Sequence, residues 1–530
     1  MNAEDPPKAR AVATVSPGTK PPTLGIRGVR LHRDCDSLSG ILICFMIIFS
    51  PWAFGTTQPA TIFVMNLTGY ALGILLSLKW FLRRFKDYHP RRWNVLPTPG
   101  LTRLTRTLAA LTVVILAYCL SGALNARASW REAAANFEYY QVIAWLPQSY
   151  ARENTWRTLG KFLALACFFW AVRDWLQGAS GAEERALRRS EVRGQRSEVK
   201  GPTADAPTSA LSPLSGRLRI LLWVLCLNGA LLAVESIAQR LSGTGKLLWL
   251  VEPRINKDGF AQLGPYAYRS NGAQYLNLIW PVCLGFWWTL RRELSHRGPA
   301  ASRRQARRPH VLLIGALLMA VAAIISASRA GAAVACAAAL VATVILLFGL
   351  RRRQRAVKIG LLIFFAVTLA TAIYIGSGEI GQRFKTFGED YESRDAIYET
   401  GRKIHQEFPW FGTGPGTLEA VFQMYRSTDE YWPAQLHNDW LETLLTFGWV
   451  GSLPIALALA CALGRWFLPG GIYSNWRMTA LIWLALAGCL AHARYDFPFQ
   501  IYSILLLFLL LCAILSVVTH RRPSLPTASR

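Results

Sequence analysis

Residues 309–350 read PHVLLIGALLMAVAAIISASRAGAAVACAAALVATVILLFGL, in which two apolar runs are separated by a turn of only a few residues. Each run is about as long as the 17 to 25 residues that an α-helix needs to cross a bilayer core. A short polar turn between two such runs is typical of a helical hairpin in a membrane. Because Arg329 lies in this turn, the stretch predicts two transmembrane helices with a cationic side chain at one end.

Apolar blocks of this kind recur along the whole chain. The chain has 530 residues, of which 52% are hydrophobic, yet its formal net charge is +27. The basic residues lie in clusters between the apolar blocks, as at Arg351–Arg353, which indicates membrane topology rather than nucleic-acid binding. We therefore predict an all-α integral membrane protein, with no nucleic-acid partner and with about twelve transmembrane helices: Leu38–Phe54, Ala60–Trp80, Leu108–Ala126, Leu159–Trp175, Leu218–Ile237, Ala273–Leu290, Pro309–Ser326, Ala330–Leu350, Ile359–Gly376, Trp440–Trp466, Met478–His492 and Phe499–Thr519.

The distribution of basic residues predicts the orientation. With the N-terminus inside, most of the 58 Lys and Arg residues fall in cytoplasmic segments, as the positive-inside rule requires. Both termini are thus predicted to be cytoplasmic. The predicted segments are a disordered cytoplasmic leader at 1–36, helices one to four at 37–176, a low-complexity cytoplasmic linker at 177–216, helices five to nine at 217–376, an outward loop at 377–439, helices ten to twelve at 440–519 and a cytoplasmic tail at 520–530.

The outward loop at 377–439 is long enough to predict a function of its own. Ser393 is predicted to cap a helix from Arg394 to about Phe408, which Pro409 would end. A glycine-rich run follows at 411–416, where the backbone could turn tightly or approach a ligand closely. The loop then returns to the membrane at His437-Asn438-Asp439-Trp440.

Four stretches resemble the signature of the bacterial O-antigen ligase and polymerase superfamily, in matching order. They are Gly264-Pro265-Tyr266 with Arg269, Asn271 and Leu276; Ser328-Arg329-Ala330-Gly331; Arg394 through Pro409 with Gly412, Gly414 and Gly416; and His437-Asn438 with Leu441, Gly448 and Gly451. The resemblance covers roughly residues 260–455. Many members have Glu where this chain has Thr446, so a role for an acid at that position is not carried over to this chain.

The resemblance implies a GT-C-like membrane fold in the bacterial inner membrane, with the long loop and the active site periplasmic. It also implies transfer of a glycan from an undecaprenyl-diphosphate donor to a lipid A–core or other glycan acceptor. His437, Arg329 and Arg394 match the family's essential groups. The other matching positions, which we expect to bind substrate, are Arg269, Asn271, Asn438, Gly414 and Gly416.

The chemistry of these side chains is compatible with that implied reaction. A guanidinium group can bind two phosphate oxygens at once without losing its charge. An arginine at a membrane boundary is a functional candidate, although it could also simply contact lipid headgroups. An imidazole can take the proton of an acceptor hydroxyl, and His437 has two outward rivals, His405 and His492.

No metal-binding motif occurs in the predicted outward segments, so we expect no metal and no other cofactor. Three alternatives remain open at this stage. A polymerase or a protein oligosaccharyltransferase of the same superfamily would use the same donor, whereas a polysaccharide transporter or flippase would also fit twelve helices. The hypothesis of a transporter or flippase is disfavoured because the two halves of the chain show no internal repeat.

Overall fold

A computed structural model of the protein describes residues 26–86, 99–134, 136–179, 214–296, 309–348, 350, 355–375, 387–425, 434–464 and 475–518. Most of the predicted leader and linker, and the whole predicted tail, lie outside these residues. Residues 26–36, which were assigned to the disordered leader, form the first turns of a helix. That assignment was wrong for these residues because Asp36 is fixed there by ion pairs with Lys79 and Arg217.

The described chain is almost entirely helical. Its helices are α1 (Ile26–Trp52), α2 (Pro59–Phe85), α3 (Pro99–Leu124), α4 (Arg152–Gln177), α5 (Gly216–Ser242), α6 (Arg269–His296), α7 (His310–Ile325), α8 (Arg329–Leu347), α9 (Arg355–Ile375), α10 (Phe387–Glu407), α11 (Leu418–Phe422), α12 (Asp439–Gly464), α13 (Trp476–His492) and α14 (Tyr502–Val518). Between α3 and α4, β1 (Ala128–Arg131) pairs antiparallel with β2 (Asn136–Tyr139).

A helix overlaps each of the twelve apolar blocks predicted to span the membrane. Within the described residues, α1, α2, α3, α5, α8, α9 and α12 contain the seven segments that are long and apolar enough to cross a bilayer. The helices α7, α13 and α14 are apolar but shorter. The protein is therefore an all-α membrane protein, whereas the number of crossings remains a prediction.

The central element of the bundle is α6. Every residue from Ser270 to Leu290 is buried, because α5, α7, α8, α13 and α14 all pack around this helix. Large aromatic side chains fill the space between the helices, and Trp280 and Trp287 are almost completely inaccessible to solvent. A helix enclosed in this way can carry polar residues at its ends, since neighbouring helices rather than lipid surround them.

A buried ion cluster joins four helices at one end of the bundle. The Nζ atom of Lys79 lies 3.1 Å from Oδ1 of Asp36 and 2.9 Å from Oδ2 of Asp174, and the lysine side chain is 0% exposed. Arg83 also pairs with Asp174, and Arg217 pairs with Asp36. These contacts bring α1, α2, α4 and α5 together.

Near the other end of α4, α12 is interrupted at Gly448, whose φ of 59° and ψ of −172° are not helical. The segment 409–414 satisfies the backbone groups that the break exposes. Thr413 N–H donates to Leu445 O at 3.0 Å, and Trp449 N–H donates to Pro409 O at 2.9 Å. Because a membrane offers no water for unpaired backbone groups, these hydrogen bonds stabilise the broken helix.

A second, smaller apolar core lies beside this break. It joins α10 and α11 to the strands and to the segment before α4, and it contains Ala128, Tyr150, Ile397, Ile404, Leu418, Val421, Phe422, Leu436 and Leu445. Ile397 and Ile404 are the residues of α10 that are buried in this core. The predicted start of α10 was wrong, because the helix begins at Phe387 and Ser393 lies inside it.

Candidate active site

His437 and Asp496 form the centre of a polar cluster near the ends of α6, α12 and α13. The Nδ1 atom of His437 lies 3.1 Å from Oδ1 of Asp496, to which it donates a hydrogen bond. The imidazole is 18% exposed, whereas the carboxylate is only 5% exposed. When Nδ1 carries the proton, Nε2 is the basic nitrogen of His437, so the pair is arranged for proton abstraction.

The local fold holds both members of this pair. His437 has a left-handed backbone (φ 53°), and Tyr398 donates its hydroxyl hydrogen to His437 O at 3.0 Å. Directly after it, Asp439 N–H donates to Ala493 O at 2.9 Å and to Asp496 O at 3.2 Å. The Asp439 carboxylate in turn accepts from Phe499 N–H at 2.8 Å. The first turn of α12 is therefore bonded to the 493–501 segment that carries Asp496.

The electrostatics of Asp496 favour its ionised form. Burial acts to raise the pKa of this carboxyl, but the hydrogen bond from His437 and the adjacent imidazole of His492 outweigh burial and hold the pKa far below its usual range. Phe497 N–H also donates to Oδ1 at 3.1 Å. Asp496 can therefore stabilise the positive charge that His437 acquires when it takes a proton.

Arg394 belongs to the same cluster. Its Nη1 donates to Tyr495 O at 3.2 Å, and both its guanidinium and the Asp496 carboxylate lie close enough to the Tyr268 hydroxyl to shift the pKa of that phenol. Burial and the Asp496 carboxylate raise the pKa of the Tyr268 phenol, so the phenol remains a neutral donor. Its ring lies against Phe497, with ring centroids 5.4 Å apart. Arg394 and His437 are thus bonded to consecutive residues, Tyr495 and Asp496.

Arg329 is the first residue of α8, next to the N-cap Ser328. Ser328 donates from Oγ to Ser270 Oγ at 3.1 Å, and Ser270 Oγ lies 2.9 Å from Nε2 of His492. Hydrogen bonds therefore connect the start of α8 to His492, whose Nε2 is 3.7 Å from Asp496 Oδ2. The structure thus brings the segments that carry Arg329, Arg394 and His437 together.

The remaining predicted residues lie around this cluster and make structural contacts. Arg269 begins α6 and donates from Nη1 to Phe260 O at 3.0 Å. Asn271 is buried in the first turn of α6. Asn438 Oδ1 accepts a hydrogen bond from Leu441 N–H at 3.2 Å, so Asn438 caps the N-terminus of α12. Their contacts with substrate remain predictions.

The two predicted glycines belong to the segment that supports the break in α12. Gly414 has a φ of 108°, its N–H donates to Thr446 O at 2.9 Å, and a Cβ atom there would meet Ser149 Cα at 2.7 Å. Gly416 lies against Thr158 of α4. In this glycine-rich run, the structure shows close contact between two stretches of backbone. Contact of the run with a ligand remains a prediction.

Sequence reasoning missed Asp496, Tyr268 and Ser270. Asp496 is the only acidic residue between α13 and α14, and this isolation in a short segment was the available signal. Of the two rival histidines, His492 lies in the cluster, whereas the ring of His405 packs against Trp449. Among the residues that the structure describes, no three His, Cys, Asp or Glu side chains are arranged to hold a metal ion.

The fold and the cluster together define a class: an all-helical membrane protein with a histidine–carboxylate pair and arginines near the ends of its helices. Residues 314–456 match the family model of the O-antigen ligase. This match confirms the resemblance to the O-antigen ligase and polymerase superfamily, whose activity is of the ligase or polymerase type and whose partners are lipid-linked glycans and acceptors in general. No curated protein matches the chain.

Proposed function

We propose that this protein is an O-antigen-ligase-like glycosyltransferase, which moves a glycan from undecaprenyl diphosphate to a lipid A–core or other periplasmic acceptor. The observation that carries the proposal is the His437–Asp496 hydrogen bond, with Arg394 bonded to O of the neighbouring Tyr495. A basic imidazole nitrogen beside a guanidinium group is what attack on a phosphate-activated sugar needs. The family match supports the same reaction class.

In the proposed reaction, His437 Nε2 takes the proton of an acceptor hydroxyl while the hydroxyl oxygen attacks the anomeric carbon. The bond between that carbon and the diphosphate oxygen breaks, and undecaprenyl diphosphate leaves with the electron pair. Attack from the face opposite the leaving group inverts the anomeric centre. Asp496 stabilises the imidazolium, and the proton then passes to solvent, which restores the base.

Arg329 and Arg394 are proposed to bind the diphosphate. Their fixed positive charges would stabilise the charge that develops on the leaving group, so the proposed reaction needs no metal ion. Transfer should then persist in excess EDTA. Complete loss of transfer in EDTA, with recovery on addition of magnesium, would contradict the metal-free reaction and leave the roles of His437 and Asp496 to be tested separately.

The proposed location is the bacterial inner membrane, with twelve crossings, cytoplasmic termini and a periplasmic site. The meeting of particular helix ends supports this topology. Asp36, Lys79, Asp174 and Arg217 are all predicted at cytoplasmic ends, and they lie in one ion cluster. Ser270, Ser328, His437 and His492 are all predicted at outward ends, and they lie in the other polar cluster.

The direct test is transfer by the purified protein in lipid nanodiscs, supplied with the undecaprenyl-diphosphate glycan and the lipid A–core of its own host. Wild-type protein should join the two, and His437→Ala should not. Movement of the lipid-linked glycan across vesicles without any joining would instead establish a flippase. A polymerase of the superfamily remains the second candidate, because the same base and arginines would serve a lipid-linked repeat as acceptor; single-repeat glycans in a deletion strain would establish it.

A further inference from the structure

A buried chain of polar contacts runs from the start of α8 to Asp496. Ser328 Oγ donates to Ser270 Oγ at 3.1 Å, and Ser270 Oγ lies 2.9 Å from His492 Nε2. The same nitrogen is 3.7 Å from Asp496 Oδ2, the oxygen that His437 does not occupy. The chain is shielded from solvent, since the side chains of Ser270 and His492 are buried.

The donors and acceptors along this chain are mutually consistent. Nδ1 of His492 lies 2.7 Å from Oε1 of Gln274, so it can donate its hydrogen to that oxygen. With a hydrogen also on Nε2, the imidazole donates to Ser270 Oγ and faces Asp496 Oδ2 as a cation. Ser270 in turn accepts from Ser328, which also accepts from Gly331 N–H as the N-cap of α8. Both imidazole nitrogens of His492 and both serine hydroxyls therefore lie within hydrogen-bonding distance of a partner.

Three helices meet through this chain. Ser270 and Gln274 lie on α6, His492 ends α13, and Ser328 precedes Arg329 on α8. Asn277 adds a further bond, from Nδ2 to Gly331 O at 2.9 Å, which fixes α8 on α6. The position of the proposed diphosphate-binding Arg329 is thus tied to the carboxylate that orients the proposed base.

We propose that His492 and Ser270 are positioning residues of the transfer reaction, which fix Asp496 relative to Arg329 and thereby align His437 with the donor diphosphate. This inference rests on the proposed function. Neither residue needs to touch substrate. Their effect should fall on turnover, because a displacement of about 1 Å in a catalytic group can cost about a hundredfold in rate.

Two substitutions of His492 distinguish a positioning role of this residue from a role in packing alone. The amide of Gln reaches the place of imidazole Nε2, so His492→Gln keeps a polar group beside Ser270 and Asp496. The amide of Asn reaches the place of Nδ1, so His492→Asn keeps the contact with Gln274 and leaves Asp496 without its second neighbour. Both variants bury an uncharged amide, and they differ in which imidazole nitrogen that amide replaces.

The test measures kcat and the KM for the host's lipid-linked glycan in nanodiscs. We expect His492→Asn to lower kcat at least about tenfold and His492→Gln to stay within about threefold of wild type, with KM in both within about twofold. Equal kcat in the two variants, or wild-type kcat in His492→Asn, would overturn the positioning role while leaving the proposed function intact. A wild-type protein that joins no glycan would overturn both.

Ser270→Ala provides a second measurement that removes only one hydroxyl. It should lower kcat about tenfold, because the link between α8 and His492 is lost while the histidine stays. Ser295→Ala is the control, since the exposed Ser295 lies near the other end of the same helix and its hydroxyl donates to Arg292 O at 2.8 Å. If His492 variants fail to fold, a wild-type kcat in Ser270→Ala would still overturn the inference.

Discussion

The imidazole of His437 and the carboxylate of Asp496 are joined by a 3.1 Å hydrogen bond, although 59 residues separate them in the chain. The pairing depends on α12 and the segment after α13 being bonded to each other at Asp439. It fixes which nitrogen of His437 carries the hydrogen, and hence which nitrogen can act as a base. The behaviour of the proposed enzyme should therefore depend on a residue that never needs to meet substrate.

Asp496→Asn should lower kcat about a hundredfold or more. An amide can donate to Nδ1, which would move the imidazole hydrogen to Nε2 and remove the base, and it cannot stabilise the imidazolium. KM for donor and acceptor should change little. The control is Asp395→Asn, since Asp395 is an exposed acid next to Arg394 in sequence and its carboxylate lies 3.5 Å from Arg402 Nη2. Similar kcat values for the two variants would contradict the role of Asp496.

Acid should destabilise the wild-type protein more than Asp496→Asn. The folded-state pKa of Asp496 lies far below its usual range, and the unfolded value is about 3.9. A carboxyl of this kind stabilises the fold above its unfolded pKa, and this stabilisation is lost as the pH falls toward the folded pKa. Thermal unfolding in detergent from about pH 5 to about pH 2.5 measures the difference; parallel curves for the two proteins would count against it.

Much of this architecture could be predicted from sequence, and the reason is local. Apolar blocks and the basic residues between them are continuous stretches, so the helices that overlap all twelve blocks were foreseeable. His437 and Arg394 were also foreseeable, because each lies in a motif that resembles a family pattern. Asp496 was not, since its significance arises only when the segment after α13 folds against the start of α12.

The glycine-rich run shows a second limit of sequence reasoning. Glycines that allow close approach do not reveal whether the approaching group is a ligand or backbone. The structure places the backbone of α12 there, with Gly414 N–H donating to Thr446 O at 2.9 Å. The break at Gly448 could not be predicted either, because its exposed groups are satisfied by a segment more than thirty residues earlier.

Gly448→Ala should destabilise the protein markedly. A side chain at a φ of 59° is strained, and a Cβ atom would collide with the backbone at Trp410. The expected cost is about 2 to 4 kcal/mol, seen as a lower midpoint of thermal unfolding. Gly464→Ala is the control at the end of the same helix, where a Cβ atom would meet nothing within 4 Å. Equal midpoints in both variants would show that the break tolerates a side chain.

Lys79→Met should also destabilise the fold. It removes the cation between Asp36 and Asp174, though Arg217 and Arg83 still pair with these carboxylates. The loss should therefore be about 2 kcal/mol, below the roughly 3 to 5 kcal/mol typical of a buried charge left with no partner. Lys403→Met is the control, because Lys403 forms an exposed pair with Glu399. A difference of less than about 0.5 kcal/mol between the variants would show that the ion cluster contributes little.

Arg329→Lys and Arg394→Lys should each weaken binding of the donor diphosphate. Lysine keeps the positive charge but cannot bind two phosphate oxygens with one planar group. If the arginines act by charge alone, KM should not change; if they bind the diphosphate through two nitrogens, KM should rise. We expect KM for the lipid-linked glycan to rise about tenfold in each. Arg402→Lys is the control, since Arg402 is 56% exposed on the same helix as Arg394. If all three variants share the wild-type KM, neither Arg329 nor Arg394 binds the diphosphate by its guanidinium fork, and the metal-free reaction loses its source of charge stabilisation.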